Sequence, residues 1–223
     1  MGPPTTADEA ARSRRPYRGR TPAERIEERR RRLLDTALEL FATRGYRATS
    51  IDQICQSAGV GLKAFYEEFA TKEALLLALF DVLTDQISQD YLRRSADIQP
   101  DVLALPAIVR AFVDAVTCDR RVARVMFLES TGISPEVEQH RQRTHRLIAQ
   151  SITELYDVGK LGPPADEVLP PRVALALTGG MLEILRDWLI DPGDDDLDTV
   201  IESIARMHAI FLAGLRAVDR AGF

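Results

Sequence analysis

Apolar residues recur at three- and four-residue spacing along most of the chain, the period of a helix with one buried face. Thr21-Pro22-Ala23-Glu24 reads as a helix start: Thr21 caps, Pro22 suits the first helical position, and Glu24 completes a capping box. The stripe Leu33, Leu34, Ala37, Leu38, Leu40, Phe41 carries that helix to about Arg44, and Gly45 ends it. Thr49-Ser50 opens a second, short helix whose buried face is Ile51 and Ile54, closed by Gly59. A third runs from Gly61 to about Phe69, with Phe65 and Phe69 inward. Thr71 caps a fourth, which reaches about Arg94 through Leu75, Leu76, Leu79, Val82, Leu83 and Ile87. Beyond residue 99 the helical period continues without strand-like alternation, over about 100–117, 120–130, 134–157, 170–191 and 195–219. Breaks fall at Pro100, at 132–135, from Gly159 to Pro164, at Pro170-Pro171 and at 191–193.

The pattern predicts an all-α chain. An N-terminal three-helix unit at 21–80, holding two short helices around a tight glycine turn, is a helix-turn-helix arrangement. A larger helical unit follows at 81–223. Residues 1–20 lack apolar periodicity and are expected to be a disordered, arginine-rich arm.

Charge sharpens this division. The net charge is −5, yet residues 1–80 carry +3 and the remainder −8. Residues 12–32 hold ten arginines against three acids. An acidic body with one basic end suits a protein that meets a polyanion at that end. No stretch is long and apolar enough for a transmembrane helix, and the N-terminus has no apolar signal-peptide core, so a cytoplasmic location is expected. Two cysteines, Cys55 and Cys118, have no metal-ligand spacing.

On the stretches LLDTALELFATRGYRATSIDQICQSAGV, FYEEF and TKEALL, residues 32–80 resemble the N-terminal domain of the tetracycline-repressor (TetR) family of transcriptional regulators. The resemblance implies a DNA-binding regulator that pairs as a homodimer, reads palindromic double-stranded DNA and answers to a small-molecule effector held in its C-terminal domain. It implies no catalysis, no cofactor and no metal. The implied DNA contacts are Arg47, Thr49 and Ser50, with Gly61, Leu62, Lys63 and Tyr66 on the third helix and Lys72 opening the fourth. Lys63 carries the strong donor suited to guanine, and Leu62 suits a thymine methyl. Arg18 and Arg20 stand for the arm that would follow a groove. Two departures stand out. Gly61-Leu62-Lys63-Ala64 replaces the family's common Ser-Lys-Gly-Thr, and Glu67-Glu68 stands where a basic or histidine pair is common. These acids must point away from DNA or be offset by other cations.

For the C-terminal domain the resemblance implies an effector pocket within 100–157, for which Phe112, Val116, Met126, Phe127, Glu129 and Tyr156 are the candidate lining. An apolar or amphipathic ligand fits such a lining. The last two helices are the implied dimer surface, through Leu182, Leu185, Trp188, Ile204, Phe211 and Leu215. Gly179-Gly180 inside a helix points to close helix approach. A repressor is the first reading, with an activator or dual regulator as its alternative. A helical-bundle enzyme is remote: His140 and His145 do not share a metal-binding helix face, and no phosphate-loop, HExxH or GxSxG pattern occurs. A non-specific architectural DNA binder is equally remote, having no use for so large an acidic helical domain.

Overall fold

The computed structural model describes residues 21–99, 102–157 and 171–221. The arm residues Arg18 and Arg20 lie outside this range, as do the side chains of Tyr156 and Leu215. The described chain is helical, in the order α1 (Pro22–Arg44), α2 (Ile51–Ala58), α3 (Leu62–Glu68), α4 (Lys72–Ser95), a 3₁₀ turn (Val102–Ala104), α5 (Leu105–Thr117), α6 (Arg120–Phe127), α7 (Pro135–Asp157), α8 (Pro171–Ile190) and α9 (Leu197–Ala221).

Local chemistry accounts for the boundaries of the first four helices. Thr21 and Glu24 exchange the reciprocal bonds of a capping box, and Gly45, at φ 89°, takes the backbone past the end of α1. Ser50 and Gln53 form a second capping box at α2. Gly59 sits in the left-handed region at φ 62°, so α2 turns sharply into α3. The expected helix from 100 begins instead at Leu105, after the 3₁₀ turn, because Pro106 fits only a first turn. The helix expected to reach 130 stops at Phe127, where Leu128 takes up the cap position.

Two apolar clusters hold the molecule together. The first packs Leu33, Phe41, Ile54, Phe65, Phe69, Leu76 and Leu79 beneath the helix-turn-helix, and it takes in Val122, Val125 and Val137 from α6 and α7. The second gathers α5, α8 and α9 around Val113, Leu185, Ile201 and Ile204. Helix α4 belongs to both: Leu75 to Leu83 enter the first, and Ile87 packs against each. Val82, assigned inward by periodicity, is exposed. The Ser134 hydroxyl bonds Glu73 at the start of α4, and the His140 ring packs on Phe80 further along, so α4 and α7 run in the same direction. Helices α8 and α9 form a hairpin. Gly180 permits its close approach, since a Cβ there would stand 3.1 Å from the Met207 sulfur; Gly179 faces open space.

Candidate functional site

The helix-turn-helix presents one exposed face. Phe65 and Phe69 anchor α3 in the core, which leaves Leu62, Lys63, Tyr66 and Glu67 outward. Gly61 precedes α3 without a side-chain cap. The Tyr66 ring is held edge-on against Phe65 at 5.4 Å. Among the described residues Lys63 has no acidic partner; the i, i+4 pairing with Glu67 does not form, because Glu67 turns toward Arg29, 3.6 Å away. Arg29 also grips the nearly buried Glu68 carboxylate through Nε and Nη2. Arg29 of α1 thus offsets part of the charge of the acidic pair on α3, and Arg30 stacks on the Phe69 ring at 4.7 Å. Arg32 donates to the Ala58 carbonyl and braces the turn.

Three of the implied phosphate contacts have partners within the protein, and for the buried Thr49 this corrects the assignment. Thr49 is 1% exposed, and its hydroxyl donates to the Gly45 carbonyl at 2.8 Å, so it cannot face DNA. The Lys72 ammonium donates to the carbonyls of Tyr46 (2.8 Å) and Thr49 (2.6 Å) and lies over the Tyr46 ring. Burial pulls its pKa down, and at most one N–H remains for a phosphate. Arg47 donates to the Gly132 carbonyl in the loop before α7. Ser50 remains exposed at the α2 N-terminus, with its hydroxyl accepting from Gln53.

These contacts belong to a junction between the two units. Glu129 accepts the Tyr46 N–H at 2.9 Å and crowds Gly45, so it is no wall of a ligand pocket, which corrects its assignment as a polar anchor. Arg121 bridges Asp119 and Glu39 of α1, and Arg124 lies 3.8 Å from Glu129. Helix α6 has two faces. Val122 and Val125 enter the first cluster, whereas Ala123 and Phe127 meet the second.

Behind that second face lies a cavity of about 280 Å³. Phe112, Val116, Met126 and Phe127 line it as the sequence implied; Ile108, Val109, Met181 and Leu182 close its depth. All three histidines of the chain, His140, His145 and His208, also border it. Their meeting at one cavity is not legible in the sequence, because no spacing rule links His140 and His145 of α7 with His208 of α9. Burial lowers the pKa of His145 and His208 and favours neutral rings, and His208 Nδ1 bonds the Ile204 carbonyl. No group of three metal-ligating side chains occurs among the described residues.

The proposed dimer residues divide. Leu182, Leu185 and Ile204 are buried in their own protomer, with Leu185 wholly inaccessible, so they form core and not interface. Trp188 and Phe211 are half-buried, and the Trp188 indole N–H donates to the Asp195 carbonyl. Among the described residues, the large apolar side chains exposed on these helices are Leu175, Ile190 and Ile210.

Comparison with known proteins matches residues 33–79 to the family model described as bacterial regulatory proteins, tetR family. The chain is 26% identical over 192 residues to the HTH-type transcriptional activator FasR of Mycolicibacterium smegmatis, spanning 85% of this chain and 86% of that one. It is 28% identical over 185 residues to the HTH-type transcriptional regulator TtgR of Pseudomonas putida, spanning 78% and 86%. The fold superposes on the regulator FadR of Bacillus subtilis, solved in complex with stearoyl-CoA, with a TM-score of 0.63 at 21% identity over 80% of this chain and 97% of that one.

Proposed function

We propose that this chain, which belongs to the TetR family of bacterial transcriptional regulators, binds a palindromic operator as a homodimer and releases it when a small apolar or amphipathic effector occupies the cavity behind α6. The observation that carries this reading is the double-sided packing of α6. The helix that borders the cavity through Met126 and Phe127 also buries Val122 and Val125 against the DNA-binding unit. Glu129 just beyond it holds the Tyr46 backbone. A ligand that displaces Phe127 therefore moves the anchor of the turn preceding α2, and a change in spacing between two recognition helices weakens palindrome binding.

Lys63, Leu62 and Tyr66 are assigned to the major groove, with Ser50 and the arm residues Arg18 and Arg20 on phosphates. Dimerisation is assigned to the outer face of the α8–α9 hairpin, where Leu175, Gly179 and Ile210 are exposed. FadR, a neighbour in fold, binds a long-chain acyl thioester in its crystal structure, which makes amphipathic acyl compounds a class to test here. FasR is named an activator, so activation at a shifted operator position is the second reading. A gel shift with DNA flanking the chain's own gene decides the first point. A salt-sensitive shift that competitor palindromes abolish is expected; binding that ignores sequence overturns the regulator reading. Transcription from the same DNA with and without the protein separates repression from activation.

A further inference from the structure

We propose that the cavity selects an uncharged effector, an apolar body bearing a neutral carbonyl or hydroxyl oxygen that meets the side-chain hydroxyl of Thr84. The proposal rests on the reading of this cavity as the effector site. Thr84 lies on α4 and borders the cavity. Its Oγ1 is the buried side-chain polar atom that, among the described residues, has no hydrogen-bond partner. Three other hydroxyls of the wall are met from within the protein: Thr144 bonds the His140 carbonyl and Ser151 the Leu147 carbonyl within α7, and Ser130, in the turn after α6, bonds the Met126 carbonyl. A buried hydroxyl left unmet is costly, and a ligand oxygen placed against it recovers the missing bond.

The charges of the wall argue against an ionic head group. Arg141 is forked onto Glu138 at 2.9 and 2.7 Å, so its charge is already answered. His140 Nε2 lies 3.7 Å from Asp81. His145 and His208 are held toward the neutral form by burial. A carboxylate at the level of Thr84 would lose its water and gain no unpaired cation. The exposed Leu92 and Leu147 border the open side of the cavity, and Leu92 lies about 12 Å along α4 from Thr84 at 1.5 Å per residue. The recognised oxygen meets Thr84 where its Oγ1 is closed off from solvent.

Calorimetric titration of the full-length protein at pH 7.5 with 2-nonanone, 1-nonanol and nonanoate tests the proposal. The ketone and the alcohol should bind, and nonanoate at least tenfold more weakly. Thr84→Val should weaken the ketone about tenfold, the order of one lost neutral hydrogen bond, and Thr84→Ser should restore it. Circular dichroism checks that both variants are folded. Nonanoate binding as tightly as the ketone, or a Thr84→Val protein with unchanged affinity, overturns the proposal. If none of the three binds and none releases operator DNA, the effector-site reading itself falls, and this inference falls with it.

Discussion

Arg29 settles a conflict between the chemistry of α3 and its task. Two carboxylates beside a phosphate backbone repel it, yet Glu68 is buried under Arg29 and Glu67 leans the same way. Removing one member of a partly buried pair leaves the other uncompensated. Arg29→Ala should therefore lower stability by about 2 kcal/mol and also weaken operator binding; Glu68→Gln in that background should recover part of both. Urea denaturation and fluorescence anisotropy check this, and a second substitution that recovers neither quantity would sink the account. Lys63 is the complementary case, an exposed cation with no internal partner. Lys63→Ala should weaken the operator by about 1–3 kcal/mol and relax preference at one base position, whereas random DNA is affected little. Equal loss on both DNAs would mean that Lys63 touches phosphate. Which residues could be read in advance follows from distance along the chain. Thr21, Ser50 and Thr71 act on neighbours three residues away, so the capping pattern exposed them. Lys72 and Glu129 acquire their partners only through the fold: Lys72 reaches back to the 46–49 turn, and Glu129 reaches Tyr46 across 83 positions. No local pattern carries such information.

Helix periods and turn residues were legible because each rests on a rule a few residues long. Gly59 is the sharpest example. Its φ of 62° is the left-handed conformation, and little lies near its missing Cβ apart from Arg32 at 3.8 Å. Gly59→Ala should cost about 1–2 kcal/mol from backbone strain alone, without a steric clash, which thermal unfolding would register. What periodicity did not reveal is which side of an amphipathic helix faces which neighbour. Leu182, Leu185 and Ile204 lie on the apolar stripes of α8 and α9 and look equally suited to a partner subunit or to their own core. Helix α6 shows the same ambiguity resolved differently, with both faces used. Its role as a connector predicts that Glu129→Ala frees the Tyr46 amide. Hydrogen exchange at that amide should accelerate, while exchange in the α8–α9 hairpin stays unchanged. Acceleration spread evenly over the protein would instead indicate general destabilisation.

Across the whole molecule, charge divides along the chain, with +3 over residues 1–80 and −8 beyond them. Two recognition helices are needed to grip a palindrome, and the proposed surface for pairing them is the hairpin of α8 and α9. With Gly180 opposite Met207 and the two helices antiparallel, Leu175 and Ile210 come to the same end of the hairpin. Ile210 is 64% exposed, so a partner seated on that face would bury it. A charge placed there meets water in a monomer and a desolvated partner in a dimer. Ile210→Arg should consequently leave the far-ultraviolet circular dichroism and the protomer's cavity intact, yet shift sedimentation toward the monomer at micromolar concentration. It should also depress affinity for a full palindrome far more than for a half-site, because only the coupled pair gains from both halves. Leu185→Ala is the control. Its side chain is wholly inside the protomer, so the substitution should lower the unfolding free energy by about 2–5 kcal/mol and leave the association constant of the folded protein unchanged. A dimer that survives Ile210→Arg would place the partner on another face.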